Sequence, residues 1–134
     1  MRTMAQRRAK YALEKVLHSM RRISDKDKFS SFTAGAPAMI LQNGFGQTLA
    51  FWLAKGTKNG RIDDNDKHII LLDIVKDWLS YQHEDVKNCF VNEKDRTKLL
   101  HELMSMTQKD YLTVQNEALA LLEWVKRFAN ADLV

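Results

Sequence analysis

Four histidines (His18, His68, His83 and His101), one cysteine (Cys89) and the cluster Asp63-Asp64-Asn65-Asp66 are the side chains that could hold a metal or move a proton. None of the histidines stands at a metal-ligand spacing from another histidine, a cysteine or a carboxylate. With Cys89 alone, a zinc site of the usual tetrahedral kind has too few ligands. The acidic cluster lacks the alternating spacing and the terminal Glu of a calcium loop, so its ordinary reading is a polar loop in which Asp63 or a neighbour caps the following helix. Gly44-Phe45-Gly46 lacks the Gly-Lys-Ser/Thr ending of a phosphate loop and sits inside a helical pattern, where glycines signal close approach of a neighbouring helix. Asn43 and Gln47, one turn apart there, are expected to hydrogen-bond internally. No nucleophile is paired with a base. No catalytic residue, metal or cofactor is expected, and an enzyme would need catalytic residues dispersed beyond any recognisable motif.

The remaining chemistry is charge. Residues 1–22 carry seven basic side chains and one acid, Glu14, a net of +6; the rest carries 14 basic and 16 acidic residues, a net of −2. Such asymmetry implies a polyanionic partner. On a helix turning about 100° per residue, Arg7, Lys10 and Arg21 share one row and Arg8, Lys15 and Arg22 a second, with Tyr11 and His18 between. These cations could meet phosphates while Tyr11 stacks or hydrogen-bonds. The competing reading is a solvated helix face. Lys126 and Arg127 add charge near the C-terminus, where they also complement a helix dipole.

Helices must position these groups. At 134 residues, one domain spanning 1–134 is expected, with enough chain for one hydrophobic core. A single proline and five glycines leave long unbroken stretches. Apolar residues at three- and four-residue spacings predict a helix over about 3–23 (Ala5, Ala9, Ala12, Val16, Met20, Ile23). Ser24-x-x-Asp27 predicts a capping box and a short helix over 25–33. Ala34-Gly35-Ala36-Pro37 reads as a break, and a helix over 37–55, apolar nearly all round, as the most buried element.

A turn-rich loop with Asn59-Gly60 covers 56–66. A helix over 66–82 buries Ile70, Leu71, Ile74, Val75, Trp78 and Leu79, and 83–92 is a connector. Asn92-x-x-Asp95 caps a helix carrying Leu99, Leu100, Leu103 and Met104. Thr107-x-x-Asp110 caps the last, over 110–131. No strand pair is expected. The fold class is thus all-α, a compact bundle of five to six helices. No apolar run reaches the ~20 residues of a membrane span, no signal-peptide core follows the basic start, and the lone cysteine fits a reducing compartment. A cytoplasmic protein that does not touch membranes is expected.

Two segments say more than generic helix. They are Pro37-Ala-Met-Ile-Leu-Gln-Asn-Gly-Phe-Gly-Gln-Thr-Leu-Ala-Phe-Trp-Leu-Ala-Lys55 and Tyr111-Leu-Thr-Val-Gln-Asn-Glu-Ala-Leu-Ala-Leu-Leu-Glu-Trp-Val-Lys-Arg-Phe-Ala129. With Arg8-Ala-Lys-Tyr-Ala near the start, their order and spacing resemble the small helical subunit of the type III-B CRISPR effector, the Cmr complex. The region 56–109 is less diagnostic.

The resemblance implies an all-helical, non-catalytic subunit of a ribonucleoprotein that cuts RNA complementary to its guide. Copies would stack along the guide–target RNA duplex beside the other Cmr subunits, and cleavage would belong to a backbone subunit. On this reading the nucleic-acid-binding candidates are Arg7, Arg8, Lys10, Lys15, Arg21 and Arg22, with Lys55 and Arg127 marked out by the resembling segments. The alternative is a helical protein–protein interaction module without direct nucleic-acid contact.

Overall fold

Side-chain caps decide where most helices begin. In the computed structural model, which describes residues 2–133, Thr3 and Gln6 form a reciprocal capping box, Gln6 N–H donating to Thr3 Oγ1 and Thr3 N–H to Gln6 Oε1. It opens α1 (Met4–Arg22). There follow α2 (Lys26–Asn43), α3 (Phe45–Lys55), a hairpin of β1 (Thr57–Lys58) and β2 (Arg61–Ile62), and α4 (Lys67–Leu79). A second hairpin, β3 (Gln82–His83) and β4 (Val86–Lys87), leads to α5 (Arg96–Ser105) and α6 (Gln108–Ala129). Asp25, Asp66, Asp95 and Thr107 cap α2, α4, α5 and α6. Two expected caps therefore move. Asp25 replaces Ser24, and Asp95 replaces Asn92, whose backbone N–H instead donates to Glu102. Asp66 bears out the expectation that the acidic cluster caps a helix.

The fold is all-α. The larger correction concerns where the second quarter of the chain breaks. Helix α2 runs straight through Pro37, and the expected break at 34–37 is absent. Proline removes one helical donor, that toward the Thr33 carbonyl, while buried Phe29, Thr33, Ala36 and Ile40 keep the helix packed on both sides of it. The break falls at Gly44, whose φ of 86° and ψ of 157° suit glycine alone. Gly44 ends α2 through its N–H on Ile40 O (2.7 Å) and begins α3 by accepting from Thr48 N–H (3.1 Å) and the Thr48 hydroxyl (2.8 Å).

This break resets the angular phase of the apolar pattern. Ile40, Phe45, Leu49 and Trp52 are fully buried, but Leu41 is 69% exposed and Phe51 44% exposed. Residues 37–55 are thus two one-sided helices. The most enclosed element is α4, where Ile69, Ile70, Leu71, Leu72, Ile74, Val75, Trp78 and Leu79 are all buried. Around it α1 packs on α6, α2 antiparallel to α6, and α3 on α4.

Contrary to expectation, two short strand pairs occur. Asn59 (φ 53°) and Gly60 (φ 75°) make the turn between β1 and β2, the two positive φ values that a tight two-residue hairpin prefers. The connector over 83–92 contains most of the second hairpin, where His83 pairs with Val86 and Glu84 and Asp85 form the turn.

Candidate nucleic-acid interface

The inner side of α1 consists of Tyr11, Ala12, Val16, Ser19 and Met20. Tyr11 is therefore a core residue, correcting its expected place at an RNA-stacking surface. Its hydroxyl donates to the Ile74 carbonyl at 2.7 Å, and its ring lies 4.9 Å from Trp78 and 4.8 Å from Tyr81. Burial, and then the negative field of Asp77, pushes its ionisation far above the ordinary tyrosine value.

The cations of α1 fall into four groups. Arg8 turns inward: Nη2 donates to Glu117 Oε1 at 2.9 Å and Nε to Oε2, with Glu117 itself buried. The hydrogen bond to Glu117 outweighs the effect of burial and raises the Arg8 pKa. Arg7 and Lys10 face the β3–β4 turn, at 3.3 Å from Asp85 and 3.8 Å from Glu84. Arg22 reaches the 63–66 loop, donating to Asp64 O (3.2 Å) and Asn65 Oδ1 (2.9 Å). That leaves Lys15, 5.5 Å over the Tyr11 ring, and Arg21, which is exposed. Neither has a carboxylate partner among the described residues.

The structure brings Arg7 and Lys10 to one cavity of about 110 Å³ between α1 and the second hairpin. Lys15 and Arg22 line another, of about 380 Å³, whose other walls include Asp64, Asp73, Asp77 and Arg96. Lys55 and Arg127 line neither. Lys55 sits at the end of α3, 5.5 Å over the Phe51 ring. Arg127 is 73% exposed near the end of α6, with a loose pairing to Glu123 at 3.9 Å.

Arg96 escaped the sequence reading. Its Nε and Nη2 fork onto Asp73 at 2.9 and 2.6 Å, and Nη2 also reaches Asp64 at 2.9 Å. Hydrogen bonding to Asp73 raises its pKa against the opposing effect of burial. Arg96 and Arg22 together hold the acidic loop between α1 and α5, a role that no motif reveals because its partners lie 23 and 32 residues away. Elsewhere in that loop, Asp66 accepts from the backbone N–H of His68, lies 2.8 Å from His68 Nδ1 and pairs with Lys58 at 3.3 Å.

The Gly44-Phe45-Gly46 segment does meet a neighbouring helix. Phe45 N–H donates to Gln115 Oε1 (3.0 Å) and Gly46 N–H to the Tyr111 hydroxyl (2.7 Å) on α6. A Cβ on Gly46 would lie 3.3 Å from that hydroxyl. Asn43 and Gln47, by contrast, are exposed, with no side-chain hydrogen bond among the described residues. The expected internal bonds give way to solvent because the turn at Gly44 carries this edge outward.

Fold and surface together define a small helical protein whose structure is pinned by part-buried charge pairs and whose first helix carries the excess positive charge. The chain belongs to the Cmr5 family: the family model for CRISPR-associated protein (Cas_Cmr5) matches residues 4–132. It is a small subunit of a type III-B Cmr complex. Among the described residues no helix is long and apolar enough to cross a membrane.

Proposed function

We propose that the protein is a non-catalytic structural subunit that lies along the guide–target RNA duplex of a cytoplasmic Cmr complex, beside the other subunits and copies of itself. It holds the duplex by charge, while guide pairing reads the sequence. The observation that carries this reading is the net +6 of residues 1–22 together with Lys15 and Arg21, which form no direct ion pair with a carboxylate among the described residues. Arg21 and Lys15 are the leading candidates for phosphate contact. Arg7, Lys10 and Arg22 follow, since their partners are themselves partly exposed, and Lys55 and Arg127 extend the surface. Arg8 supports the helix from within. The deepest carboxylate, Glu117, is occupied by Arg8 and Trp78, which favours a structural rather than an acid–base role.

A second reading, a protein-docking module, draws support from the internal pairing of Arg7, Arg8, Lys10 and Arg22 and from exposed Leu41, Met104 and Leu112. A salt titration of target-RNA binding by the reconstituted complex separates the two. With Lys15→Gln/Arg21→Gln, binding weakens similarly for every guide–target pair. The slope of log affinity against log salt flattens by about 0.7–0.9 for each phosphate that the variant no longer neutralises. An unchanged slope in a correctly assembled complex selects the docking module. The purified subunit alone leaves RNA intact with divalent metals present, whereas cleavage abolished by a single substitution in this chain would overturn the non-catalytic reading.

A further inference from the structure

Of the two non-glycine residues with left-handed backbone among the described residues, Asn59 is of a type that tolerates it and Glu84 (φ 50°) is not. Glu84 and Asp85 are the whole turn between His83 and Val86. A tight turn there would ordinarily use Gly or Asn. The residues present instead set two carboxylates over α1, Glu84 toward Lys10 and Asp85 toward Arg7.

The tip is lightly held. Within 82–87 only Val86 is buried, and no backbone hydrogen bond joins these residues to α1 among the described residues. The base is firmer, with Asn88 N–H on Tyr81 O (3.0 Å) and the Asn88 side chain on Trp78 O (2.8 Å). Ion pairs between half-exposed groups therefore fasten the tip.

The match to Arg7 is also incomplete. Asp85 takes Nη2 alone, and Arg7 Nε is buried without a hydrogen-bond partner. Phosphate, like a carboxylate, can accept two parallel N–H groups from one guanidinium; Asp85, fixed on its turn, takes only one, and a phosphate not so tethered could take both.

We infer that the Glu84-Asp85 turn is an intramolecular stand-in for phosphate, covering Arg7 and Lys10 until an RNA backbone displaces it. The inference rests on the proposed RNA contact of α1 and adds regulation to it. The acidic tip sets a threshold: a polyanion held in place by guide pairing and neighbouring subunits outcompetes the tip, and a stray one does not. Discrimination arises from a repulsive element as much as from attraction.

The test is a salt titration of matched target-RNA binding by the reconstituted complex, with subunit stoichiometry verified for each variant. Glu84→Asn/Asp85→Asn removes both charges and places at 84 a residue that accepts left-handed backbone. It binds RNA several-fold more tightly, with little change in salt slope, because RNA displaces the tip and neutralises the same phosphates in both proteins. Adding Arg7→Gln/Lys10→Gln abolishes that gain. An unchanged affinity in the acidic-tip variant overturns the inference. If Lys15→Gln/Arg21→Gln still flattens the slope in the same assay, the RNA-contact reading stands without the turn. If neither arm responds, that reading falls as well.

Discussion

Arg8 and Glu117, 109 residues apart in sequence, are joined by two parallel N–H···O bonds, and the same Glu117 Oε2 accepts Trp78 Nε1–H at 2.9 Å. One carboxylate thus ties α1 and α4 to α6. Removing its charge leaves a largely buried guanidinium without its counter-ion, and breaking such a pair costs about 3 kcal/mol. Glu117→Gln is expected to lower Tm by roughly 10 °C for a chain of this size, measured by thermal unfolding followed by circular dichroism. Replacing both partners with apolar residues, Arg8→Met/Glu117→Leu, recovers only part of the loss: the desolvation penalty disappears with the charges, but the buried Trp78 Nε1–H loses its acceptor. A loss below about 1 kcal/mol in the single variant would place this pair with solvent-screened surface bridges.

Asp66 sets the acid limit of the α4 N-terminus. Burial by itself raises its pKa, but the His68 N–H, the His68 ring and Lys58 together outweigh burial and hold it below the ordinary carboxylate range. A depressed folded-state pKa contributes stability above the unfolded value of about 3.9, and that contribution is lost as pH falls through the lower folded value. Asp66→Asn keeps a competent cap and removes the titration. Urea midpoints measured from about pH 6 down to about pH 2 should fall further for the parent than for the variant. Parallel curves would show that Asp66 contributes nothing to acid unfolding.

Gly56 closes α3 against α4. A Cβ built there would overlap Cγ1 and Cδ1 of Ile69, which is fully buried. Gly56→Ala is expected to destabilise by about 1–3 kcal/mol through overpacking. In Gly56→Ala/Ile69→Ala the two effects should be less than additive, since the second change removes the obstruction created by the first. Additive denaturant midpoints would mean that the backbone, rather than Ile69, opposes the methyl group.

Helix count and type were legible because three- and four-residue apolar spacing is a local signal. So was the cap at Thr107, where the hydroxyl and the N–H it accepts are three residues apart. The break at Gly44 was not legible, because Pro37 is the stronger local breaker and only the packing of Phe29, Ala36 and Ile40 on either side keeps α2 whole. The exposure of Leu41 follows from that same misplaced break. In the candidate interface, the surplus charge of α1 could be counted from the residues, but its distribution could not.

By itself the sequence determined an all-helical chain with its positive charge gathered at one end, since helical period and net charge depend on residue type and near neighbours. Tertiary structure decided which of those charges face outward. Arg8 and Lys15 belong to the same predicted row, yet Arg8 meets Glu117 from the far end of the chain while Lys15 lies over an aromatic ring. Arg7 and Lys10 meet carboxylates brought to them by a turn more than 70 residues on. Partners at such separations are selected by how the helices pack, which no local spacing encodes.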